Sequence, residues 1–366
     1  MPFAAILAAC SGSGSQTALE PQGPIGRDID GLWDLVLMLA TGVFIFVMLL
    51  LVWAMWRYRE RPGDLSEPKQ IHGNPVIELG GVVFSVVLLT IITIPTVRSL
   101  LDIRSEPVGP DVLQIQVTGH QWWWEFEYIN EIAPDGRTLI TANELHIPAG
   151  VSVNLTMTSA DVIHSFWVPA LNGKRDVVPG RTTKLTLIAD EPTPDGEPIP
   201  GQCAEFCGLA HADMRIKLHV HTAADYATWV QEQLAPSVQP AGGSALEGGW
   251  LTFSALCTTC HQVTLEDIEG ELVTYGPERH IVANDITFRS SFGPNLTHLF
   301  SRGTFGSGTF TLDADHLSEW IDNPQKLKPM DPDRNDLAEG FVYGMPDLGL
   351  DPVEIAEVVA LLETWR

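Results

Sequence analysis

Two cysteines, a histidine and a methionine lie within twelve residues, in the segment Cys203-Ala-Glu-Phe-Cys207-Gly-Leu-Ala-His211-Ala-Asp-Met214. Thiolate and thioether ligands favour Cu(I), and imidazole binds copper in either oxidation state. Four ligands from one short loop would crowd a single ion, whereas two ions bridged by both sulfurs relieve the crowding. A pair of ions needs one more histidine from another part of the chain, and His164 is the candidate.

Two other uses of these cysteines are open from the residues alone. Cys203 and Cys207 could form a disulfide, since the chain carries features of an exported protein. With His164 and His211 they could instead hold a structural zinc ion. Neither use explains Met214, which is a poor zinc ligand, so the ligand types favour copper.

A second motif, Cys257-Thr-Thr-Cys260-His261, is the attachment signal of c-type haem. Two thioether bonds fix the porphyrin, and the histidine takes one axial position on the iron. The same motif can also occur by chance or as a redox pair. The helical spacing of residues 250–256 before it and the segments after it favour haem.

The segments after this motif resemble those of small class I cytochromes c. Gly293-Pro294 resembles the loop whose proline carbonyl accepts the axial imidazole N–H in that family. Met345, before Pro346, resembles the methionine that supplies the sixth iron ligand, and Met330 is the alternative. Acidic residues outnumber basic ones in this part of the chain, which favours a basic electron donor.

The chain is predicted to end in a helix. Asp351 suits the N-cap and Pro352 the first helical position, and apolar residues follow at helical spacing. Residues 266–290 exceed what a small cytochrome c needs and are interpreted as a surface insertion. Three histidines are assigned to the surface without a role, namely His280, His298 and His316.

Two runs without charged residues, 35–56 and 79–97, are long enough to cross a membrane, because a spanning helix needs about 20 mostly apolar residues. Core helices of a soluble protein would rarely be so long and uncharged. The loop between the runs is rich in arginine, so the positive-inside tendency places it in the cytoplasm and the later part of the chain outside. The sequence therefore predicts a two-helix transmembrane hairpin.

After residue 111, apolar and polar residues alternate in short stretches separated by Pro/Gly turns, which predicts an all-β sandwich or barrel. His219 and His221 fall on one face that is expected to be solvated, and they are not expected to be ligands. His146 also lies in a predicted strand and receives no role.

From residue 32 onward, these blocks together resemble subunit II of bacterial cytochrome c oxidases of the caa type. Two further segments carry the resemblance, residues 161–181 and Gly119-His120-Gln-Trp122-Trp123-Trp124-Glu-Phe126-Glu-Tyr128. The resemblance implies a cupredoxin-like copper domain and an enzyme complex whose catalytic subunit I reduces oxygen and pumps protons. This chain would receive electrons from a cytochrome c donor and pass them through haem c and a dinuclear copper A centre to subunit I.

The resemblance also assigns roles to single residues. Cys203 and Cys207 would bridge the two coppers, His164 and His211 would be terminal ligands, Met214 a weak ligand to one copper, and the Glu205 carbonyl a ligand to the other. The Glu205 side chain would point toward a magnesium ion at the interface with subunit I.

Two further roles follow from the resemblance. Trp122 would be the point where electrons enter from a docked cytochrome. Consecutive tryptophans on a strand alternate in direction, so one of the three is expected to be exposed or at a contact. Glu78 would stand at the cytoplasmic entrance of a proton pathway, although Gly80-Gly81 replace the Trp-Thr stretch of the family.

The N-terminus resembles a bacterial lipoprotein cleavage site, with Cys10 as the lipidated residue, although basic residues before it are missing and a free cysteine is the alternative. The net charge of −25 argues against nucleic acid as a partner. The predicted protein is multidomain and sits in a bacterial membrane, with its copper domain and an all-α cytochrome c domain outside. The predicted segments are 1–31 (signal-like), 32–104 (hairpin), 105–231 (copper domain), 232–249 (flexible linker) and 250–366 (cytochrome c).

Two functional alternatives remain open from the sequence. A nitric oxide reductase with a copper A subunit would keep the electron relay and change the acceptor. A membrane-anchored copper assembly protein would have no use for a covalent haem. A quinol-oxidase-like subunit is disfavoured, because that relative lacks the copper ligands.

Overall fold

The computed structural model describes residues 16–59, 63, 70, 73–194, 197–330 and 344–366. The chain separates into two compact units, one comprising Arg27–Ser105 and the other comprising the residues up to Gly26 together with Glu106–Arg366. The predicted lipidation site, Cys10, lies outside the described residues. The copper-ligand loop and the haem motif fall within the same unit.

Two long helices dominate the first unit, α1 (Pro24–Arg57) and α2 (Pro75–Arg104). The Asn74 side chain caps α2 by accepting hydrogen bonds from the backbone N–H groups of Val76 and Ile77, and Pro75 occupies the first turn. Both helices are long and apolar enough to cross a membrane, and none of the residues in their most apolar windows is buried in protein. The helices extend beyond the uncharged runs, and α2 continues past Pro95 to Arg104.

Two five-stranded sheets form a β-sandwich in the second unit, as the alternating pattern predicted. Their strand orders are β3-β2-β1-β5-β8 and β4-β10-β9-β6-β7. The strands are β1 (Leu113–His120), β2 (Trp123–Ile132), β3 (Thr138–Ala142), β4 (Glu144–Pro148), β5 (Val153–Ser159), β6 (His164–Trp167), β7 (Arg175–Val177), β8 (Thr183–Leu187), β9 (Ile199–Cys203) and β10 (Arg215–His221).

Large aromatic side chains fill the space between the sheets. The rings of Trp124 and Phe166 meet edge to face with centroids 5.4 Å apart, so β2 packs across the sandwich on β6. Tyr128 is fully buried, and its hydroxyl accepts a hydrogen bond from the His146 N–H at 2.9 Å. The loop before β6 ends at His164, the first residue of the strand. This packing therefore fixes the position of that imidazole in the site.

The prediction that His219 and His221 lie on a solvated face is wrong. His219 and His221 are only partly exposed, and together with His146 their rings lie nearly parallel in one cluster. The indole of Trp229 stacks on His146 with centroids 4.2 Å apart. Trp229 belongs to helix α3 (Ala223–Leu234), which covers this face, and that cover is a tertiary contact that alternation along β10 cannot reveal.

The segment predicted to be a flexible linker, 232–249, is instead structured. Strand β11 (Ser237–Val238) pairs in parallel with β12 (Val263–Glu266), and the Ser237 hydroxyl donates to the Thr297 carbonyl at 2.6 Å. Helix α4 (Glu247–Leu256) begins inside the predicted linker. Proline and glycine disfavour regular structure locally, but here strand pairing fixes the segment.

The region after residue 250 is not all-α, contrary to prediction. Its remaining helices are α5 (Ala314–Asp322), α6 (Pro324–Leu327) and α7 (Pro352–Leu362). The added strands are β13 (Leu272–Tyr275), β14 (Arg279–Ala283), β15 (Ile286–Ser290), β16 (Thr304–Phe305) and β17 (Phe310–Thr311). Residues 266–290 supply most of them, and Ser290 contacts His120 of the sandwich at 3.2 Å, so this segment packs against the sandwich rather than being a surface insertion.

The predicted C-terminal helix is confirmed. Asp351 caps α7 by accepting from the N–H groups of Val353 and Glu354, and the Glu354 side chain returns a bond to the Asp351 N–H. The apolar face of α7 is buried, and Trp365 after it packs edge to face on Phe253 of α4 with centroids 4.9 Å apart. Helices α4 and α7 thus form one side of the C-terminal core.

A buried carboxyl in β2 predicts an unusual pH dependence. Burial raises the pKa of Glu125 to about 8, and its Oε1 has no hydrogen-bond partner among the described residues. In the unfolded chain the Glu125 carboxyl has an ordinary pKa of about 4.5, so between pH 4.5 and pH 8 the folded state holds an extra proton and stability falls as pH rises.

We therefore expect Glu125→Gln to remove this fall, because an amide does not titrate in this range, and to raise the free energy of unfolding at pH 8 by about 1.4 kcal/mol for each pKa unit between the unfolded and folded values, on the order of a few kcal/mol in all. Thermal unfolding at pH 5 and pH 8 measures the difference. The exposed Glu232→Gln serves as control and should leave both midpoints unchanged. Equal pH profiles for Glu125→Gln and the parent would contradict the prediction.

Candidate metal centre and cofactor cavity

The ligand loop folds its sulfur and nitrogen atoms into one cluster between β9 and β10. Cys203 ends β9, a single 3-10 turn covers His211–Asp213, and Met214 precedes β10. The Cys203 N–H donates to the Met214 carbonyl at 2.9 Å, which closes the loop at its base. The hairpin formed by β9 and β10 therefore brings both ends of the ligand segment together.

The distances within this cluster join all five predicted side-chain ligands. The two sulfurs are 3.8 Å apart, and Cys203 Sγ lies 3.9 Å from His164 Nδ1. Cys207 Sγ lies 3.5 Å from His211 Nδ1 and 3.9 Å from Met214 Sδ. Each imidazole thus faces a different sulfur through Nδ1, which is the arrangement that a pair of bridged ions requires.

The backbone carbonyl of Glu205 also faces the cluster, 3.2 Å from Cys203 Sγ. The Glu205 side chain is exposed. The carbonyl is therefore in reach of an ion held by the sulfurs, as the sequence resemblance implied, while the carboxylate is available to an outside partner.

Cys203 and Cys207 do not form a disulfide here, because bonded sulfurs lie about 2.05 Å apart and these are 3.8 Å apart. Their mutual hydrogen bond lowers the pKa of the Cys203 thiol and raises that of Cys207, since one proton lies between two close sulfurs. A metal cation at this position would replace that proton and hold both groups as thiolates.

Asp161 orients the first histidine of the site. The His164 ring is fully buried, and its Nε2 lies 2.9 Å from Asp161 Oδ1. Burial lowers the pKa of His164, but the hydrogen bonds to Asp161 and to the Cys203 thiol outweigh it, so the pKa is raised. A Cβ on Gly119 would lie 2.9 Å from the ring, so only glycine leaves room for this orientation.

Asp161→Ala is expected to weaken copper binding by about 10–100-fold, the usual effect of losing an outer partner of a metal-bound histidine. Asp161→Asn keeps an acceptor for His164 Nε2 and should recover most of the affinity. Copper content after dialysis against a graded chelator series gives the comparison. If both variants lose copper equally, Asp161 acts on folding rather than through the imidazole.

Trp122 belongs to the second unit and is buried, at 5% exposure. Its indole N–H donates to the Cys207 carbonyl at 2.9 Å, and the Gln121 side-chain amide donates to the same oxygen at 2.7 Å. The Ser307 hydroxyl donates to the Trp122 carbonyl. Trp123 and Trp124 are also buried, so the expected outward contact is made by this chain's own C-terminal region.

A cavity opens on the other side of Trp122 and encloses about 1220 Å³, including its solvent-filled mouth, which is ample for a cofactor. Its lining includes both cysteines and the histidine of the haem motif, Cys257, Cys260 and His261. His261 Nδ1 lies 2.8 Å from the Pro294 carbonyl, which confirms the predicted contact. This bond leaves Nε2 as the nitrogen available for an iron.

The lining of the cavity fits a haem. His261 is half-buried, and its desolvation lowers its pKa, which favours the neutral imidazole that binds iron. A Cβ on Gly293 would lie 2.6 Å from the His261 ring, so this position also requires glycine. Cys257 and Cys260 have free thiols, which could form the thioether bonds to a haem.

Both candidate methionines line the same cavity. Met345 Sδ accepts a hydrogen bond from the Trp320 indole N–H at 3.0 Å. Met330 is buried, and a Cβ placed on Gly344 would lie 2.8 Å from its sulfur. The geometry therefore brings both sulfurs to the haem cavity, and Met345 as the iron ligand stays a prediction.

The remaining predicted site residue is Glu78. It lies in the first turn of α2 and is exposed. Its role in proton entry stays a prediction.

Lys328 is a buried residue that no feature of the sequence singles out. Its ammonium donates to the Ser307 hydroxyl at 2.6 Å and to the carbonyls of Trp122 and Asp213 at 3.3 and 3.4 Å. It thereby joins the copper loop to the C-terminal region. Lysine is almost never fully buried, so no pattern in the sequence could have indicated this position.

Asp161 was also missed as a functional residue, although its position was informative. A carboxylate three residues before a metal-binding histidine can reach the outer ring nitrogen when the segment turns. That spacing was present in the sequence.

His298 is buried, contrary to its assignment to the surface. Its ring nitrogens lie 2.7 Å from the Ala235 carbonyl and 3.0 Å from that of Arg366. His298 therefore helps to hold the segment around β11 against the chain's C-terminal end.

Two family models match this chain. The one described as cytochrome C oxidase subunit II, transmembrane domain, matches residues 15–98, and the one described as the periplasmic domain of the same subunit matches residues 131–221. The second match includes the six positions predicted to be copper ligands.

Curated relatives match over most of the chain. Cytochrome c oxidase subunit 2 of Alkalihalophilus pseudofirmus is 33% identical over 329 residues, which cover 88% of this chain and 86% of the relative. The protein of the same name from Bacillus subtilis is 28% identical, and the match covers 84% of this chain and 83% of the relative.

Among solved structures, the periplasmic domain of subunit II of cytochrome oxidase from Bradyrhizobium japonicum is 31% identical. The match covers 34% of this chain and 94% of that one, with a TM-score of 0.29. A score this low supports no statement about the fold.

Proposed function

Because this chain belongs to the cytochrome c oxidase subunit II family, we propose that it carries electrons from a cytochrome c donor through its own haem c and a dinuclear copper A centre to catalytic subunit I of a haem-copper oxidase. Subunit I would reduce oxygen to water and pump protons. The chain is a membrane subunit with a copper-binding periplasmic domain. The bound haem and the order of electron transfer are what we propose.

The observation that carries this proposal is the position of Trp122. Its indole N–H bonds to the carbonyl of Cys207 on one side, and the residue lines the cavity of Cys257, Cys260 and His261 on the other. One side chain therefore touches both the copper loop and the haem cavity.

When bound, each cofactor would exchange single electrons, and the copper pair would share one electron over two metals. The protein's own contribution is to hold the ligands rigidly, so that little must move when the charge changes. Packing of β2 on β6, the Asp161 bond to His164 and the closed base of the ligand loop serve this purpose. The ligand set has no open position for a substrate.

The surface at the copper loop fits a partner subunit. Phe206 and Leu209 are 76% and 62% exposed, and Ile163 next to His164 is 46% exposed. Exposed apolar residues grouped around one site are typical of interaction surfaces. We propose that subunit I covers this surface, and that the Glu205 carboxylate reaches a magnesium ion in that interface.

On the donor side, the acidic excess of the C-terminal region would attract a basic cytochrome or other redox donor. Trp122 is not exposed to such a donor, since Ser307 and Lys328 cover its carbonyl. The donor would therefore meet the haem region, and Trp122 would act inside the chain.

A rapid-mixing experiment on the full-length protein in detergent tests the order of transfer. Reduced cytochrome c is mixed with the oxidised protein, and the haem and copper absorption bands are followed separately. We expect the haem to be reduced first and the copper afterwards.

Trp122→Leu should slow only the second step, by about tenfold, equivalent to about 1.4 kcal/mol of barrier. The matched control Trp229→Leu removes an indole elsewhere and should leave both steps unchanged. Copper reduced before the haem, or no haem band at all, would overturn the proposed order. Oxygen and nitric oxide turnover by the purified complex then identifies the acceptor.

A further inference from the structure

A second group of metal-binding side chains lies on the sandwich and shares no residue with the copper loop. Glu144 and His146 point to the same face of β4, since they are two positions apart on a strand. In the parallel pairing of β4 with β10, His219 lies directly beside His146. Strand register therefore brings a carboxylate and two imidazoles together.

The ligand atoms lie close to the spacing that a metal ion needs. Glu144 Oε2 is 3.9 Å from His146 Nε2 and 3.8 Å from His219 Nε2, and one ligand atom from each residue lies within 4.8 Å of the other two. A tetrahedral ion with bonds near 2.1 Å separates its ligand atoms by about 3.4 Å. The two carboxylate–imidazole distances are about half an ångström longer than this, and the distance between the two imidazole nitrogens, at most 4.8 Å, would shorten by up to about 1.4 Å to complete the site.

Two of the three inner side chains are held by outer partners, as in built metal sites. His146 Nδ1 lies 2.8 Å from His221 Nε2, which leaves Nε2 directed at the carboxylate. Glu144 Oε1 accepts from the Thr304 N–H at 2.8 Å and from its hydroxyl at 2.5 Å. Oε2 is therefore the carboxylate oxygen left to face the imidazoles, apart from a 3.3 Å contact with the Gly303 N–H.

The protonation states also suit a cation. Burial raises the pKa of Glu144, but the bonds from His146 and Thr304 outweigh it and bring the pKa to about 2. Burial lowers the pKa of His146 to about 4 and lowers that of His219. A carboxylate and two neutral imidazoles thus face one another at neutral pH, with Lys217 and Arg302 as the cations nearby.

We propose that Glu144, His146 and His219 bind a divalent transition-metal ion of the zinc class, with water in the remaining position. Partial exposure of His146 and His219 gives the ion a route from solvent. Because Thr304 belongs to the C-terminal region, the ion would also brace the contact between that region and the sandwich. This site is independent of the copper and haem assignments.

Zinc titration of the full-length, copper-loaded protein, freed of loosely bound metal by a chelator, tests the proposal. We expect one zinc ion per chain by calorimetry, with no change in the visible absorption of the copper pair. His219→Gln should weaken the binding at least about tenfold, as the loss of one ligand of three implies. The matched control His280→Gln changes an exposed histidine and should bind zinc like the parent.

X-ray absorption at the zinc edge gives a readout that does not depend on the variants. Nitrogen and oxygen neighbours typical of two imidazoles and a carboxylate support the site. Sulfur neighbours would show that zinc occupies the copper loop instead, and would overturn the proposal. Stoichiometric zinc binding that persists in both His219→Gln and Glu144→Gln would also overturn the proposal. The absence of zinc binding to the parent protein would overturn it too.

Discussion

Cys207→Ser is expected to abolish the dinuclear copper centre and with it the delivery of electrons to the oxidase. Cys207 Sγ is the central atom of the cluster, because it faces the Cys203 sulfur, the His211 imidazole and the Met214 thioether. A serine hydroxyl is a hard ligand and does not replace a thiolate that bridges two coppers. Loss of an outer hydrogen-bond partner of a metal ligand typically costs about 10–100-fold. Oxidase turnover in Cys207→Ser should fall by more than that.

Electron paramagnetic resonance of the purified protein measures this result directly. The parent should show the pattern of one electron shared by two coppers, and Cys207→Ser should show a mononuclear copper signal or none. Cys257→Ser makes the same chemical change at the haem motif and should leave the copper pattern intact. A shared-electron signal that persists in Cys207→Ser would rule out this cluster as the copper centre.

The double substitution Cys257→Ala, Cys260→Ala is expected to remove the covalent haem and to isolate the copper centre from a soluble cytochrome donor. Both thiols line the cavity beside Trp122, and that tryptophan is covered from outside by Ser307 and Lys328. Copper reduction by reduced cytochrome c should slow by at least about 100-fold, equivalent to about 2.7 kcal/mol of barrier.

The haem content of the double variant is read by the haem absorption of the denatured protein, where only covalent haem survives extraction. Copper content and its resonance signal should equal those of the parent. Thr259→Ala, within the same motif, is the control and should keep its haem. Unchanged copper reduction in the double variant would mean that electrons reach the copper by a route outside the haem cavity.

Local patterns were sufficient for much of this protein. Uncharged runs predicted both long helices, alternation predicted the strands of the sandwich, and Asp351-Pro352 predicted the start of α7. These features depend on neighbours within one helical turn or one strand, so the sequence contains them. The same holds for the spacing of Cys203 and Cys207 and for the haem motif.

Long-range packing decided what these patterns could not. The sequence indicated that Trp122 matters for electron entry, but its burial depends on contacts with residues 185 and 206 positions later. The histidines of β10 alternate like solvated residues, yet α3 covers them, and the register with β4 places His219 beside His146. Parallel pairing joins strands far apart in the chain, so no local spacing specifies it.

The ligand types and the membrane hairpin were thus determined by the sequence alone, because metal preference and lipid compatibility are properties of side chains and of short segments. Only the tertiary structure decided that the predicted copper loop and the cavity lined by Cys257, Cys260 and His261 meet at one tryptophan. That meeting depends on the burial of Lys328 and Ser307 between two parts of the chain, where hydrogen bonds to backbone carbonyls offset the loss of water.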